Sequence, residues 1–343
     1  MRWGDELGDI LFFVVPCFNE EDILPVSSTI LSGKIDALVK AGLISPASKI
    51  LFVDDGSTDR TWAMIKTLHE DNSLFLGISL AHNSGEQNAY LAGLMTAKEY
   101  ADFIITIDAD LQDDINAVDA MIAEYRKGSE IVYGVRSSRK HESFFKKIPA
   151  QAFYAMMKYM GTELIANHSQ YRLMSRRAVE ALAAYHEVNM FLPALVPLLG
   201  FQSSVVLHER KERVAGKSKY SVRKLYHLAA EAVTSFSMKP LRVIKILGAL
   251  CLTVAAVAAV YAVVLAYRET LPGWLAVLAC IWAVGGAVLL SMGIIGEYTG
   301  KMYAEAKRRP RYFVSESLLD PLGDSLSQPP AANVAGDDNS RKD

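Results

Sequence analysis

Cysteine is scarce in this chain of 343 residues: it occurs three times, at Cys17, Cys251 and Cys280, with no C-x-x-C pair and no Cys/His cluster. A disulfide-stapled fold and a structural zinc site are thereby excluded, and a reducing compartment fits. The signatures G-x-G-x-x-G and G-x-x-x-x-G-K-[ST] are absent, so dinucleotide dehydrogenases and P-loop NTPases lose their usual phosphate cradles. No charge sign dominates either. With 36 Lys+Arg against 38 Asp+Glu the net is -2, which gives no basic field for gathering nucleic acid, and no such partner is expected. The N-terminal MRWGDELGD puts three acids where a secretory signal needs a basic start and an apolar stretch, so export by that route is not expected.

What is present begins with two long uncharged runs. Ile246 to Tyr267 and Trp274 to Ile295 carry no charged residue. At about 1.5 Å per residue, each run is long enough as a helix to cross a hydrocarbon layer of about 30 Å. The expectation is a transmembrane hairpin over 242–300, the competing reading being two buried core helices. Arg242 and Lys245 precede the first run, and Lys301, Lys307, Arg308, Arg309 and Arg311 follow the second, so the positive-inside bias puts both chain ends in the cytoplasm. Before the hairpin, Tyr220 to Leu241 sets Val222, Leu225, Tyr226, Ala229, Val233 and Phe236 at helical spacing among basic residues. This reads as an interfacial amphipathic helix over 220–241 resting on membrane lipids, or else as a helix packed on the body. Gly285, Gly286, Gly293 and Gly296 offer close-packing surfaces for a homo-oligomer.

Residues 1–219 read as a cytoplasmic α/β domain. LFFVVP, KILFVDD, LFLGISL, DFIITID and EIVYGV are near-continuous apolar runs at βα spacing, the pattern of buried, mostly parallel strands. Ligands of open α/β sheets bind beyond the carboxyl ends of strands. Three such ends are polar here: Pro16-Cys17-Phe18-Asn19-Glu20, Asp54-Asp55-Gly56-Ser57 and Asp108-Ala109-Asp110-Leu111-Gln112. Each taken singly could be turn and cap chemistry. In Asp108-Ala109-Asp110, two carboxylates straddle one residue at a strand mouth, and their repulsion is relieved by a cation; hard oxygens suit Mg²⁺ or Mn²⁺ held partly by substrate phosphates. The tail over 301–343 is expected to be cytoplasmic and, beyond about Ser315, disordered.

VVPCFNEE, LFVDDGSTDRT, IDADLQDD, VYGVRSSR, YRLMSRRA and RKERVAGKSKY, followed by two spans, resemble the family 2 glycosyltransferases that load a sugar onto a polyprenyl phosphate. Undecaprenyl-phosphate glucosyltransferases and dolichyl-phosphate mannose synthases belong to that group. The resemblance covers about residues 10 to 300. It implies a GT-A nucleotide-diphospho-sugar transferase domain and an inverting, divalent-metal-dependent transfer from a nucleotide-diphosphate sugar, UDP-linked, to undecaprenyl phosphate at the cytoplasmic membrane, with a flippase and a downstream glycosyltransferase as partners.

Carried over by position, Pro16, Phe18, Glu20 and Asp55, with Asp54 a weaker candidate, surround the nucleoside, and Asp108, Ala109 and Asp110 form the DxD segment. Asp110 is then the more direct metal ligand, with Gln112 an accessory. On the acceptor side the resemblance implies Arg136, Arg139, Arg172, Lys217 and Lys219 on the lipid phosphate. Many relatives have an Asp two residues before the Arg of the RLM motif; here that position is Gln170, so a general base is missing and Gln170 becomes a sugar-specificity candidate beside Arg172. A phosphate monoester with a second pKa of about 6 is already largely dianionic and needs no such base. Pro193 stands where relatives often show Arg. Three rivals remain at this level. A processive polysaccharide synthase lacks its Q-x-x-R-W motif, a catalytically silent membrane scaffold would have no use for the intact acidic residues, and a transferase to another lipid acceptor shares every motif.

Overall fold

A computed structural model describes residues 8–137, 168–187, 192–209 and 273–319, together with five helical positions between 250 and 260. Eight strands form one sheet: β1 Leu11–Cys17, β2 Lys49–Asp54, β3 Phe75–Leu80, β4 Phe103–Thr106, β5 Ile131–Arg136, β6 His168–Ser175, β7 Ser203–His208 and β8 Val314–Leu318. The helices are α1 Leu24–Lys40, α2 Thr61–Asp71, α3 Glu86–Ala97, α4 Ala117–Arg126, α5 Arg176–Ala183, α6 Leu192–Leu198 and α7 Gly273–Lys307. The spatial order is β7-β5-β6-β4-β1-β2-β3-β8. The β1–β2, β1–β4, β2–β3 and β5–β7 pairs are parallel, whereas β6 runs against both β4 and β5, and β8 against β3.

The five apolar runs fold as strands because both faces of the sheet are covered. In β1, Leu11, Phe13, Val15 and Cys17 pack into one core with Leu31 and Ile35 of α1 and Met121 of α4. Phe12 and Val14 point the other way, into a second core with Tyr90 and Leu91 of α3 and Val179 of α5. A helix lies on each side, so no strand face needs polar residues. α3 approaches the sheet so closely that a side chain at Gly93 would run into Val14 and Val53. α5 is started by Ser175, whose Oγ accepts from Ala178 N at 3.0 Å.

The reversal of β6 matters for the site. Thr106 at the end of β4 pairs with Arg172, so the beginning of β6, with Gln170, lies at the same sheet edge as the ends of the parallel strands.

One expectation is corrected at the C-terminus, and another is shown only in part. The tail does not become irregular at Ser315: Val314–Leu318 pairs with β3 at the sheet edge, joined further by Ala81 N to Phe313 O at 2.9 Å and Ser315 Oγ to Ser79 O at 3.0 Å. This strand is short, polar and exposed, as an edge strand is, and so has no apolar run to announce it. The second span lies within a longer helix, α7. Among the described residues, one helix, Ala283–Lys307, is long and apolar enough to cross a membrane, and none of its apolar window is buried in the protein. Trp274, Ile281, Val288 and Leu290 are exposed along α7, and Gly285, Gly286, Gly293 and Gly296 face open space. The hairpin itself is not displayed. The first span lies outside the described residues except for Leu250, Thr253, Ala256, Val257 and Val260, and the interfacial helix at 220–241 and residues 320–343 lie outside them entirely.

Candidate active site

The carboxyl ends of β1, β2 and β4 are neighbours because β1 pairs with both others. After β1 the chain turns sharply: Asn19 has φ 53, a left-handed conformation that Asn tolerates. Its Oδ1 accepts from Thr58 N at 2.8 Å while its own N–H donates to Ser57 Oγ at 2.9 Å, which ties the first polar segment to the second. Glu20 N donates to Thr61 Oγ1 at 2.9 Å. Phe18, by contrast, is a large apolar ring left 36% exposed beside these polar groups, a surface on which a planar base can stack. Pro16 is partly buried at the end of β1.

Asp54 and Asp55 are both buried, and their carboxylates are engaged by the protein. Asp54 accepts from Ser79 Oγ at 2.8 Å and from Ser57 N at 3.2 Å. Asp55 accepts from Ser84 N at 2.7 Å on one oxygen and from Gly85 N at 3.0 Å on the other, clamping the turn that starts α3. Burial raises the Asp55 carboxyl above the ordinary aspartate range, and these two N–H bonds pull it back. Between them and the next loop, Gly56 takes φ +67 with its backbone against His82 and Asn83.

The acidic loop after β4 is held at its first residue and turned at its fourth. Tyr90 of α3 donates its hydroxyl to Asp108 Oδ1. Asp110 Oδ1 accepts from Gln112 N at 3.2 Å, and Leu111 between them has φ 45. Ala109 and Gln112 are buried. Burial, then the nearby carboxylates of Glu86, Asp113 and Asp110, push Asp108 up to about 7, with the Tyr90 bond opposing them. A site so crowded with hard oxygen donors fits a divalent cation. Among the described residues no three His, Cys, Asp or Glu side chains form a preformed metal-binding group.

Two basic side chains belong to the neighbouring strands, and one of them, Arg136, touches this loop. Arg172 is only 2% exposed; its Nη2 donates to Gln170 Oε1, two residues away on the same strand face, and its Nη1 to Leu192 O at 3.5 Å. Burial lowers its pKa to about 10, so it remains a cation at neutral pH. Among the described residues no carboxylate forms an ion pair with it, and Gln170 supplies a neutral acceptor instead. Pro193 sits in the first turn of α6, where its missing N–H costs nothing. Arg136 donates Nε to Asp113 Oδ1 at 3.1 Å. Arg139, Lys217 and Lys219 lie outside the described residues.

The sequence singled out neither Tyr90, which looks like any helix-core aromatic, nor His208, which lies on β7 beside Asp113 with Nε2 3.7 Å from Oδ1. Asp113 stands in the IDADLQDD motif, but nothing in the sequence says that it is buried with Arg136 and His208.

Comparison with known proteins gives the family. Residues 12–183 match the family model described as Glycosyl transferase family 2. The uncharacterized glycosyltransferase YkoT of Bacillus subtilis is 46% identical over 91% of this chain and 93% of its own length. The SfII prophage-derived bactoprenol glucosyl transferase of Shigella flexneri is 34% identical over 89% of this chain and 97% of its own. A prophage bactoprenol glucosyl transferase homolog of Escherichia coli is likewise 34% identical, over 88% of this chain. The sheet is that of an α/β, GT-A-like fold, mostly parallel, with an acidic strand end at its centre, and the chain belongs to glycosyl transferase family 2.

Proposed function

We propose that this chain transfers one sugar from a nucleotide-diphosphate sugar, UDP-linked, to a polyprenyl phosphate, undecaprenyl phosphate, at the cytoplasmic face of a membrane. The observation that carries this reading is the 34% identity to a bactoprenol glucosyl transferase across 97% of that protein, which extends well beyond the catalytic motifs. The apolar, unburied α7 supports attachment to the lipid phase in which such an acceptor resides.

On this reading Phe18 stacks on the base, while Pro16 and Glu20 line the nucleoside. Asp54 and Asp55 shape that pocket through the turns they anchor at Ser57 and Ser84. Asp110 and Asp108, with Gln112 beside them, hold Mg²⁺ or Mn²⁺. Such a cation, when bound, neutralises the charge that develops on the departing diphosphate. An oxygen of the lipid phosphate attacks the anomeric carbon, the bond from that carbon to the β-phosphate oxygen breaks, and its electron pair leaves with the nucleoside diphosphate, so the configuration inverts. The attacking phosphate is already dianionic, which removes the need for a base at Gln170. Arg136 and Arg172, with Arg139, Lys217 and Lys219, offset the charge of that phosphate as it approaches a second anion.

The test is to incubate the purified full chain with undecaprenyl phosphate and a panel of nucleotide sugars, with Mn²⁺ or with chelator, and to weigh the lipid product by mass spectrometry. A product heavier by one hexose, absent with chelator, is expected. Nucleotide-sugar hydrolysis without any glycosylated lipid would overturn the acceptor assignment.

A further inference from the structure

Asp113 joins two parts of the site that come from distant stretches of the chain. It closes the acidic loop five residues after Asp108, and its side chain is 1% exposed. A buried carboxylate of this kind is costly unless paired. Its pairing partner, Arg136, stands at the end of β5, and the partner's own strand neighbour in the parallel β5–β7 ladder is His208, which walls the carboxylate on the other side. Tyr171 completes the enclosure, edge-on to the His208 ring at 5.3 Å between centroids and donating its hydroxyl to Asp114 O at 3.2 Å.

The contact is made by one nitrogen of Arg136. Nε donates to Asp113, while the side chain keeps 26% exposure. A guanidinium held at Nε has its plane fixed and still presents two terminal nitrogens, the fork that grips phosphate oxygens in pairs. Asp113 belongs to the same loop as Asp110, so the cation ligand and this fork are set by a single short segment.

We propose that Asp113 is a positioning residue that aims Arg136 at the acceptor phosphate and thereby couples the acidic loop to acceptor binding. The proposal rests on the reading of Arg136 as a lipid-phosphate ligand. It requires Asp113 to act through Arg136, which a double-mutant cycle detects.

The experiment uses the full chain in detergent with undecaprenyl phosphate and the donor chosen by the panel assay, comparing parent, Asp113→Asn, Arg136→Ala and the double variant. Affinity for UDP with Mn²⁺ is measured by calorimetry and folding by thermal melts. Asp113→Asn should raise the KM for lipid about tenfold, with kcat and UDP affinity within about threefold of the parent, and the double variant should be no worse than Arg136→Ala. Two single effects that multiply in the double variant, or an equal loss of UDP affinity, would overturn the proposal. An unchanged lipid KM in Arg136→Ala would overturn the acceptor reading itself, and this proposal with it. Should Asp113→Asn melt before assay, Arg136→Lys decides: it keeps the charge but not the planar fork held at Nε, so it should raise the lipid KM, and a parental KM would refute the positioning role.

Discussion

Tyr90, on the helix after β3, donates its hydroxyl to Asp108 at the mouth of β4, so one oxygen of the first acidic residue is already bound by the protein. Asp110 gives one oxygen to a backbone N–H of its own loop, a bond that a carboxamide oxygen can replace. The two residues of one motif thus differ in setting: Asp108 is tied to a helix of the core, whereas Asp110 is bonded within its own loop, which on the proposed reading makes Asp110 the more direct cation ligand.

Asp110→Asn should therefore leave the melting temperature within about 2 °C of the parent while metal-dependent transfer falls by about a hundredfold or more, since a neutral group does not supply the charge that holds the cation on a diphosphate. Retention of activity to within about threefold would reject the metal role. Thermal melts and lipid-product formation, measured on one preparation, settle it.

Gly56→Ala should damage stability and nucleotide binding together. A side chain there would lie 2.6 Å from the His82 carbonyl carbon and 2.7 Å from Asn83 N, and the residue also needs φ +67. The obstacle is backbone, so the turn that Asp55 clamps at Ser84 and Gly85 has to shift. A loss of about 1–3 kcal/mol in denaturant unfolding is expected, with weaker UDP binding by calorimetry.

Gln170→Asp should change sugar preference more than pH dependence. Gln170 accepts from Arg172 in the parent, and the substitution places an anion on that guanidinium and withdraws the amide from the site. The ranking of donors by kcat/KM is expected to change by about tenfold for at least one pair, while the pH profile keeps its shape. A new basic limb with the old ranking would mean that this position works as a base.

Removal of residues 314–343 should lower the melting temperature by about 5 °C or more, while removal of 320–343 alone changes it by no more than about 1 °C. The difference is β8: Leu318 packs on the first core beside Trp62, and Glu316 accepts from Trp62 Nε1 at 3.1 Å and pairs with Lys66 at 2.5 Å. Equal melts for the two truncations would show that the strand adds nothing.

The first five strands were legible because burial on both faces leaves apolar runs such as LFFVVP that no other element produces so briefly. β6, β7 and β8 were not, and β7 is missed although it runs parallel to β5, because its SSVVLH holds only three apolar residues in a row. β6 carries Gln170 and Arg172 at its polar start, and β8 alternates polar residues at an edge, so neither shows a run. In the site, the spacing of Asp108 and Asp110 was enough to suggest a cation, because that chemistry lies within three residues. The Tyr90–Asp108 and Arg136–Asp113–His208 contacts were invisible, since each joins positions set side by side only by sheet topology. A lone His at the end of VVL carries no sign of the carboxylate beside it.

β8 also orders events in time. Ser315 bonds to Ser79 across 236 residues of chain, and α7 is made before β8. While the polypeptide is being synthesised, β3 therefore stands as an open edge with its N–H and C=O groups free to pair with other molecules. The last strand can cap it only after the apolar helix has been synthesised, so a chain stalled within α7 would leave that border of the sheet uncovered.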